Sequence, residues 1–569
     1  MDEKKKYISL CKKILKEVKK RKISDQDSFN SIKMQIMKGS GIKTIPKNTD
    51  IINIASQKDR KKLSFILSMK PIRTLAGVSV VAIMTKPMPC PHGKCIYCPG
   101  GVNSAFGDVP QSYTGKEPTT RRAIRNNFDP YLQVFNRLEQ YIVTNKIPDK
   151  VEIIVMGGTF PSYPKKYQEE FIGYTFKAMN DFSSMFFHKG ELNIDKFLDF
   201  FELPGDINDE ERYVSIMKKA LKIKSKGSRT LETEQIRNEK SAIRCVGLTI
   251  ETKPDYATLQ HANEMLRLGA TRVELGVQTI YNDVLQSINR GHTIGDTINA
   301  TSTLKDLGFK INYQMMPGLP GVTLKKDYEG LTALFQDQRF QPDMLKIYPC
   351  MVLKGTKLYD MWKKKKYKPL TTSQAALLIA RFKEVVPEYV RIMRVQRDIP
   401  TVVTEAGVDK TNLRQYVEDI MKKKGKSCRC IRCREVGRKK GKVGKPVIAI
   451  THYRASKGNE FFIAVEYDDF ILGFCRLRFP HDTLRKEITS DSSLIRELHV
   501  YGLAVPIGKK DEDSTQHKGL GKILVKIAED ISKEYYKKKV VVISGIGAKE
   551  YYKKLGYKKE GPYMVKRLK

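Results

Sequence analysis

Gly77-Val78-Ser79-Val80-Val81-Ala82-Ile83-Met84, followed six residues later by Cys90-Pro91-His92-Gly93-Lys94-Cys95-Ile96-Tyr97-Cys98, is the stretch on which the fold turns. The first run is short, apolar and β-branched, as a buried strand is. The second places three thiols on the loop leaving that strand. Onward to about residue 350, apolar strand candidates at 151–156, 245–250, 271–277, 311–315 and 344–348 alternate with helix-like stretches such as 256–268 and 296–307. That rhythm implies an α/β chain with a parallel sheet closed into a full or partial TIM-like (βα) barrel. Loops at the carboxyl ends of such strands converge on one face, so distant motifs can meet there. Residues 186–244, polar and poorly periodic, read as an insertion.

Three thiolates spaced four and then two residues apart can hold three irons of a [4Fe-4S] cubane. The fourth iron is then open to the amino and carboxylate groups of S-adenosylmethionine. The same spacing also suits zinc. The loop's place after the first strand, and Gly157-Gly158-Thr159 after the second candidate, favour the cluster, because glycines let the backbone approach the methionine end of the ligand. The usual radical-SAM spacing is three then two; four then two changes the shape of the loop more than its ligand count.

Beyond residue 446 the pattern becomes antiparallel, with strand candidates at 461–467 and 470–477, then a glycine-rich turn and a helix at 522–533. Gln516-His517-Lys518-Gly519-Leu520-Gly521 matches the Q/R-x-x-G-x-G/A loop of GNAT acetyltransferases, whose amides hold the coenzyme A pyrophosphate at a helix N-terminus. Arg496-Glu497-Leu498-His499-Val500 reads as the strand that pairs with the pantetheine arm. Among Tyr551, Tyr552 and Tyr557, Tyr552 is selected to protonate or orient the thioester sulfur, and packing explains the other two. Cys428, Cys430 and Cys433 form a second thiol group, with Cys350 as the fourth ligand of a tetrahedral zinc site stapling the linker. Cys11, Cys245 and Cys475 are read as structural.

A 569-residue chain exceeds what one core supports. The expected division is a basic helical region at 1–70 that binds nucleic acid, a radical SAM domain at 71–420, a basic cysteine-bearing linker at 421–446 and an α/β GNAT domain at 447–569. Lys and Arg number 104 against 63 Asp and Glu, a balance of +41 that favours a polyanionic partner. The excess is concentrated in residues 1–70, which hold 19 Lys and Arg against 7 Asp and Glu, and in 422–445, which hold twelve against Glu435 alone. No apolar run approaches the ~18 residues of a membrane span, and no signal peptide precedes the basic start, so a cytoplasmic protein without a membrane partner is expected.

The order of these motifs resembles the catalytic subunit of Elongator, the tRNA-modifying acetyltransferase family. The likeness also takes in Gln111-Ser112-Tyr113-Thr114-Gly115-Lys116-Glu117-Pro118-Thr119, Val155-Met156-Gly157-Gly158-Thr159-Phe160, Glu274-Leu275-Gly276-Val277-Gln278 and Asn289-Arg290-Gly291-His292-Thr293. The resemblance implies that Cys90, Cys95 and Cys98 bind a [4Fe-4S] cluster. It also implies that Lys150, Glu497, Leu498, His499, Val500, Leu520, Gly521, Lys522 and Tyr552 contact acetyl-CoA. The expected activity joins a SAM-derived 5′-deoxyadenosyl radical to acetyl-CoA, placing a carboxymethyl group on C5 of the wobble uridine, position 34, of a tRNA held by its anticodon stem-loop. A homodimer or accessory subunits are left open. The competing readings are a protein-lysine acetyltransferase with a merely structural iron–sulfur domain, which the basic surface disfavours, and a catalytically inert tRNA scaffold.

Overall fold

The computed structural model describes residues 3–21, 23, 25–41, 45–46, 48–56, 59, 63, 77–203, 209–227, 230–436, 445–501 and 519–569. Gln516, His517 and Lys518 of the glycine loop, and 437–444 of the second basic run, lie outside the described residues.

Seven strands, β1 (Ser79–Met84), β2 (Lys150–Met156), β3 (Arg244–Thr252), β4 (Arg272–Gln278), β5 (Lys310–Met315), β6 (Met344–Ile347) and β7 (Arg391–Arg394), pair in chain order and all in parallel. Parallel neighbours need crossovers, and helices such as Pro130–Val143, Lys165–Phe186 and Ile294–Asp306 supply them. The last of these opens on a capping box, Thr293 with Asp296, that satisfies two otherwise orphaned donors. No pairing closes β7 onto β1 among the described residues, so the sheet is a half-barrel. The strand candidates fall on β1 to β6. The seventh, Arg391-Ile392-Met393-Arg394, has charged ends and no apolar run; it exists because the edge of β6 must be covered.

Residues 186–244 are more ordered than their polarity predicts. An antiparallel pair, Phe187–His188 with Glu191–Leu192, leads into helices Ile194–Phe200, Glu210–Lys224 and Leu231–Glu239. They close over Phe182, Phe186, Phe197 and Phe201, whose rings lie 4.7–6.3 Å apart. Because these aromatics come from different elements, no single helical period reveals them.

The second sheet begins with four antiparallel strands, β8 (Val447–Ala455), β9 (Gly458–Tyr467), β10 (Phe470–Phe479) and β11 (Ser492–Val500). After helix Leu520–Glu534, β12 (Lys539–Val542) joins β11 in parallel, and β13 (Lys558–Glu560) and β14 (Tyr563–Arg567) complete the order β8-β9-β10-β11-β12-β14-β13. Near the amino terminus, helices Glu3–Lys20 and Gln26–Lys38 enclose a small core of Leu10, Ile14, Val18, Phe29 and Ile32. Lys12, Lys13, Lys16, Lys19 and Lys20 point outward. No helix among the described residues is long and apolar enough to cross a membrane.

The second sheet docks on the amino ends of the half-barrel strands. A Cβ at Gly545 would meet the Val246 carbonyl at 2.2 Å, so only glycine fits there. Tyr563 donates to the Leu307 carbonyl at 2.9 Å, and Arg496 donates to the Phe309 carbonyl at 2.6 Å. The cysteine loop leaves the opposite end.

Candidate active sites at the two ends of the half-barrel

At the carboxyl end, the Cys90–Cys98 loop is pinned on both sides. The Ile96 amide donates to Ile288 and the Leu358 amide donates to Ile96. Asn289 Nδ2 donates to the Lys94 carbonyl at 2.9 Å. The thiols face polar groups from other loops: the Ser112 amide donates to Cys98 Sγ at 3.3 Å, the Cys98 thiol donates to Gln111 Oε1 at 3.2 Å, and Arg290 Nη1 lies 3.9 Å from Cys95 Sγ. His92 Nε2 is 3.2 Å from Cys95 Sγ. Burial, reinforced by Cys98, pushes the Cys90 thiol up to about 11. Burial also holds His92 down to about 4. A bound iron would reverse the cysteine shift by stabilising thiolates.

These residues fit a polar group larger than one ion. Gly157 and Gly158 take φ of +126° and +115°, and a Cβ on Gly157 would strike Thr85 Oγ1 at 2.1 Å. The result is a bare backbone cradle beside the thiols. Buried His292 has the Val277 backbone against its ring and, among the described residues, a ring nitrogen left without a partner, a cost that a bound polar ligand would remove.

The inner face of the half-barrel is also polar. Lys346 pairs with Glu274 and stands 3.8 Å from Glu251. Gln314 Nε2 reaches both carboxylates at 3.4 Å, and Tyr113 donates to Glu251 at 3.1 Å. Toward the amino end, Arg272 pairs with Glu152 at 2.6 Å, and Lys310 lies 3.7 Å from Glu497. Burial raises Glu251 despite Lys346. Burial would raise Glu274 too, but Lys346 and Arg272 hold it below its ordinary value. Of these, Glu497 was selected from sequence and Glu274 and Tyr113 fall in quoted motifs; Lys346, Glu251, Gln314, Arg272, Glu152 and Lys310 were not singled out. The available signal was polar side chains at every second position of otherwise apolar strands, as in Lys310, Asn312 and Gln314.

At the amino end, β11 carries the second site. Its parallel pairing with β12 stops at Ile495–Val542, while β11 continues to Val500 against β10. From Glu497 to Val500 one edge of β11 therefore has no strand paired with it among the described residues, a template for an extended ligand. His499 lies within that edge; its Nε2 is buried without a partner among the described residues, and burial holds the ring down to about 4, hence neutral. Helix Leu520–Glu534 begins at Gly519, with Leu520, Gly521 and Lys522 in its first turn. Lys150 opens β2, opposite Arg244.

Tyr552 is buried, its ring edge-on to Tyr551 and Tyr557. Tyr557 donates to Glu529 at 2.8 Å. The Tyr551 hydroxyl is buried and has no hydrogen-bond partner among the described residues, 2.7 Å from where a Gly521 Cβ would stand.

Cys428, Cys430 and Cys433 bring their sulfurs within 4.8 Å of one another, close enough to share one metal ion. Among the described residues they form the one such group. Mutual thiol hydrogen bonding holds Cys430 well below the ordinary thiol range. The Ile431 amide donates to Val390 beside β7, and the Ile471 amide at the start of β10 donates to Arg434, so this turn ties the two sheets together. Cys350 does not join it. Cys350 follows β6 at the carboxyl end and packs in one apolar cluster with Cys95, Tyr97 and Cys98. Burial pushes its thiol to about 12. Its assignment as the fourth ligand is corrected accordingly.

The chain matches the Radical SAM superfamily over residues 87–329, the Radical_SAM C-terminal domain over 342–423, the ELP3 N-terminal domain over 7–75 and the acetyltransferase (GNAT) family over 434–557. It is 44% identical over 573 residues to a tRNA uridine(34) acetyltransferase of Methanocaldococcus infernus, with 98% of each chain covered. It is 39% identical over 584 residues to Elongator complex protein 3 of Saccharomyces cerevisiae, covering 100% of this chain and 97% of the other. A solved structure of archaeal Methanocaldococcus infernus Elp3 with an N-terminal deletion is similar at TM-score 0.70 and 40% identity, covering 87% of this chain and 100% of that one. With relatives this similar along their whole length, and with radical SAM and GNAT domains in this order, the chain belongs to the tRNA uridine(34) acetyltransferase family, that of Elongator complex protein 3.

Proposed function

We propose that this chain uses acetyl-CoA and S-adenosylmethionine to place a carboxymethyl group on C5 of uridine 34 in tRNA, in the cytoplasm. The observation that carries the reading is the open edge of β11 lying at the foot of the same half-barrel whose other end holds the cysteine loop. A simple acyl transferase would not need that conjunction.

Cys90, Cys95 and Cys98 would hold the [4Fe-4S] cluster, with Gly157 and Gly158 beside the methionine end of S-adenosylmethionine. Bound there, these groups supply a primary carbon radical able to take a hydrogen atom from the acetyl methyl group. The open edge at Glu497, Leu498, His499 and Val500 orders the pantetheine arm. Leu520, Gly521 and Lys522 present a helix N-terminus to the pyrophosphate, and Lys150 adds a cation at the foot. Tyr552 serves the thioester sulfur, with the Tyr551 hydroxyl closing over Gly521. Zinc on Cys428, Cys430 and Cys433 holds the linker. The basic face of helix Glu3–Lys20 and the basic run at 422–445 neutralise anticodon stem-loop phosphates. The target base is reached at least cost in a single-stranded loop.

The test is anaerobic incubation of iron-reconstituted protein with unmodified tRNA, acetyl-CoA, S-adenosylmethionine and a reductant, followed by mass analysis of the nucleosides. Carboxymethyluridine at position 34 is the expected product. Acetylated protein with unmodified tRNA would replace this reading with that of a lysine acetyltransferase.

A further inference from the structure

The chain from Lys357 to Lys368 carries six lysines against one carboxylate, Asp360. All six, Lys357, Lys363, Lys364, Lys365, Lys366 and Lys368, are exposed, and none of their ammonium groups meets a carboxylate among the described residues. Other lysines are neutralised where they stand: Lys326 lies 2.9 Å from Asp283, and Lys219 lies 2.8 Å from Glu202. A run of like charge without counter-charges repels itself, and a polyanion relieves it.

The run is also fixed in place, which a solvated tail would not be. Thr356 caps helix Lys357–Lys363, accepting from the Tyr359 amide at 3.1 Å. Before it, a Cβ on Gly355 would meet the Ala105 Cβ at 2.3 Å, so this turn is pressed against the hairpin of Gly101–Ser104 and Gly107–Val109. After it, Tyr367 is buried and donates to the Gly318 carbonyl at 2.6 Å. The inner face holds the helix on the cysteine loop: the Leu358 amide donates to the Ile96 carbonyl at 2.9 Å, and Leu358 shares an apolar cluster with Cys95, Tyr97 and Cys98. Exposed Lys94 lies two residues before that carbonyl, so its charge joins the same rim.

We propose that Lys357 and Lys363 to Lys366 form a phosphate-binding rim beside the cysteine loop, gripping the RNA strand that flanks the target base as the base enters the mouth. The inference rests on the reading of the substrate as RNA. Charge selects the occupant, because ammonium groups on flexible stems hold phosphates as point charges and read no base. The rim also carries its own reporter. Lys363 Nζ lies 5.1 Å from the Trp362 ring centroid and 5.4 Å from that of Tyr359, and Trp362 is the one tryptophan of the chain. A phosphate competes with those rings for the ammonium, so RNA on the rim changes Trp362 emission.

Titration of the full-length protein with an anticodon stem-loop RNA tests this, with no cofactor added. Anisotropy of labelled RNA reads affinity at several salt concentrations, and Trp362 emission with unlabelled RNA reads the rim. Emission should shift with the same midpoint as the anisotropy. Replacing Lys363, Lys364, Lys365 and Lys366 together by Gln should weaken binding at least about tenfold and lower the slope of log affinity against log salt by about 3, at ~0.7 per single-strand phosphate. Lys558→Gln with Lys559→Gln, exposed on β13 of the second sheet, should leave the slope as it is. RNA that binds with Trp362 unmoved, or with the slope unchanged in the four-lysine variant, overturns the rim and leaves the RNA reading in place. An equal loss of slope in the β13 variant overturns it too, in favour of a diffuse field. Polyglutamate that shifts Trp362 as RNA does, at equal charge concentration, would make the occupant an acidic protein instead. Absence of RNA binding to the unaltered protein overturns the RNA reading itself, and the rim with it.

Discussion

The mouth and the foot of the half-barrel are built by opposite means. At the mouth, thiols, glycine backbone and His292 wait on one another only partly, with a ring nitrogen unbonded and Arg290 no closer than 3.9 Å to Cys95. At the foot, four cations and four anions from both sheets, Lys305, Arg476, Arg478, Arg496, Asp306, Asp343, Glu460 and Glu497, pair with one another out of water. Arg496 grips Asp343 at 2.6 and 2.9 Å and Glu460 at 3.0 Å, while Arg478 grips Asp306 at 2.6 and 2.8 Å. An end that must receive exchangeable ligands keeps unsatisfied groups. The ion-pair cluster that holds the two domains in register leaves few, because a buried ion pair tolerates little displacement, and the foot's other open groups, His499 Nε2 and the Tyr551 hydroxyl, lie on the proposed acetyl-CoA side.

The contrast predicts separable failures. Cys95→Ala, at the mouth, should abolish the modified nucleoside and leave acetyl-CoA binding unchanged by calorimetry; full modification in that variant would break the assignment. Arg496→Met, at the foot, strands Asp343 and Glu460 without their main partner and should cost about 3–5 kcal/mol in denaturant unfolding, with iron content preserved. Lys305 sharpens the comparison through pH. Burial lowers its pKa from 10.5 to about 8, despite Asp343 and Glu460. Between those values the unfolded chain keeps a proton that the folded chain has lost, so stability rises with pH through that window, by up to ~3 kcal/mol, and is lost again as pH falls through 8. Lys305→Met should flatten the rise in unfolding titrations at pH 7 to 10. Least of all, Cys350→Ala should cost about 1 kcal/mol and leave the metal content of the Cys428, Cys430 and Cys433 group unchanged.

The same contrast explains what the sequence disclosed. Cys90, Cys95 and Cys98, Gly157-Gly158 and the strands ahead of them are local patterns, so the mouth and the parallel sheet were readable from contiguous residues. The foot joins residues as far apart as Asp306 and Arg478, or Asp343 and Arg496, and no spacing rule links them; they look like ordinary surface charges until the second sheet docks. Cys350 misled for the related reason that a lone cysteine has no pattern of its own. The phenylalanines of residues 182–201 were hidden by being divided among three elements.

The central claim is that the two ends serve one reaction, and an isotope tests it most directly. Reconstituted protein is given unmodified tRNA, S-adenosylmethionine, a reductant and methyl-deuterated acetyl-CoA without oxygen, and the 5′-deoxyadenosine formed is weighed by mass spectrometry. Deuterium in 5′-deoxyadenosine, alongside carboxymethyluridine, is the predicted result. Carboxymethyluridine accompanied by deuterium-free 5′-deoxyadenosine would contradict the account, because the radical made at the mouth would then never have met the acetyl group held at the foot.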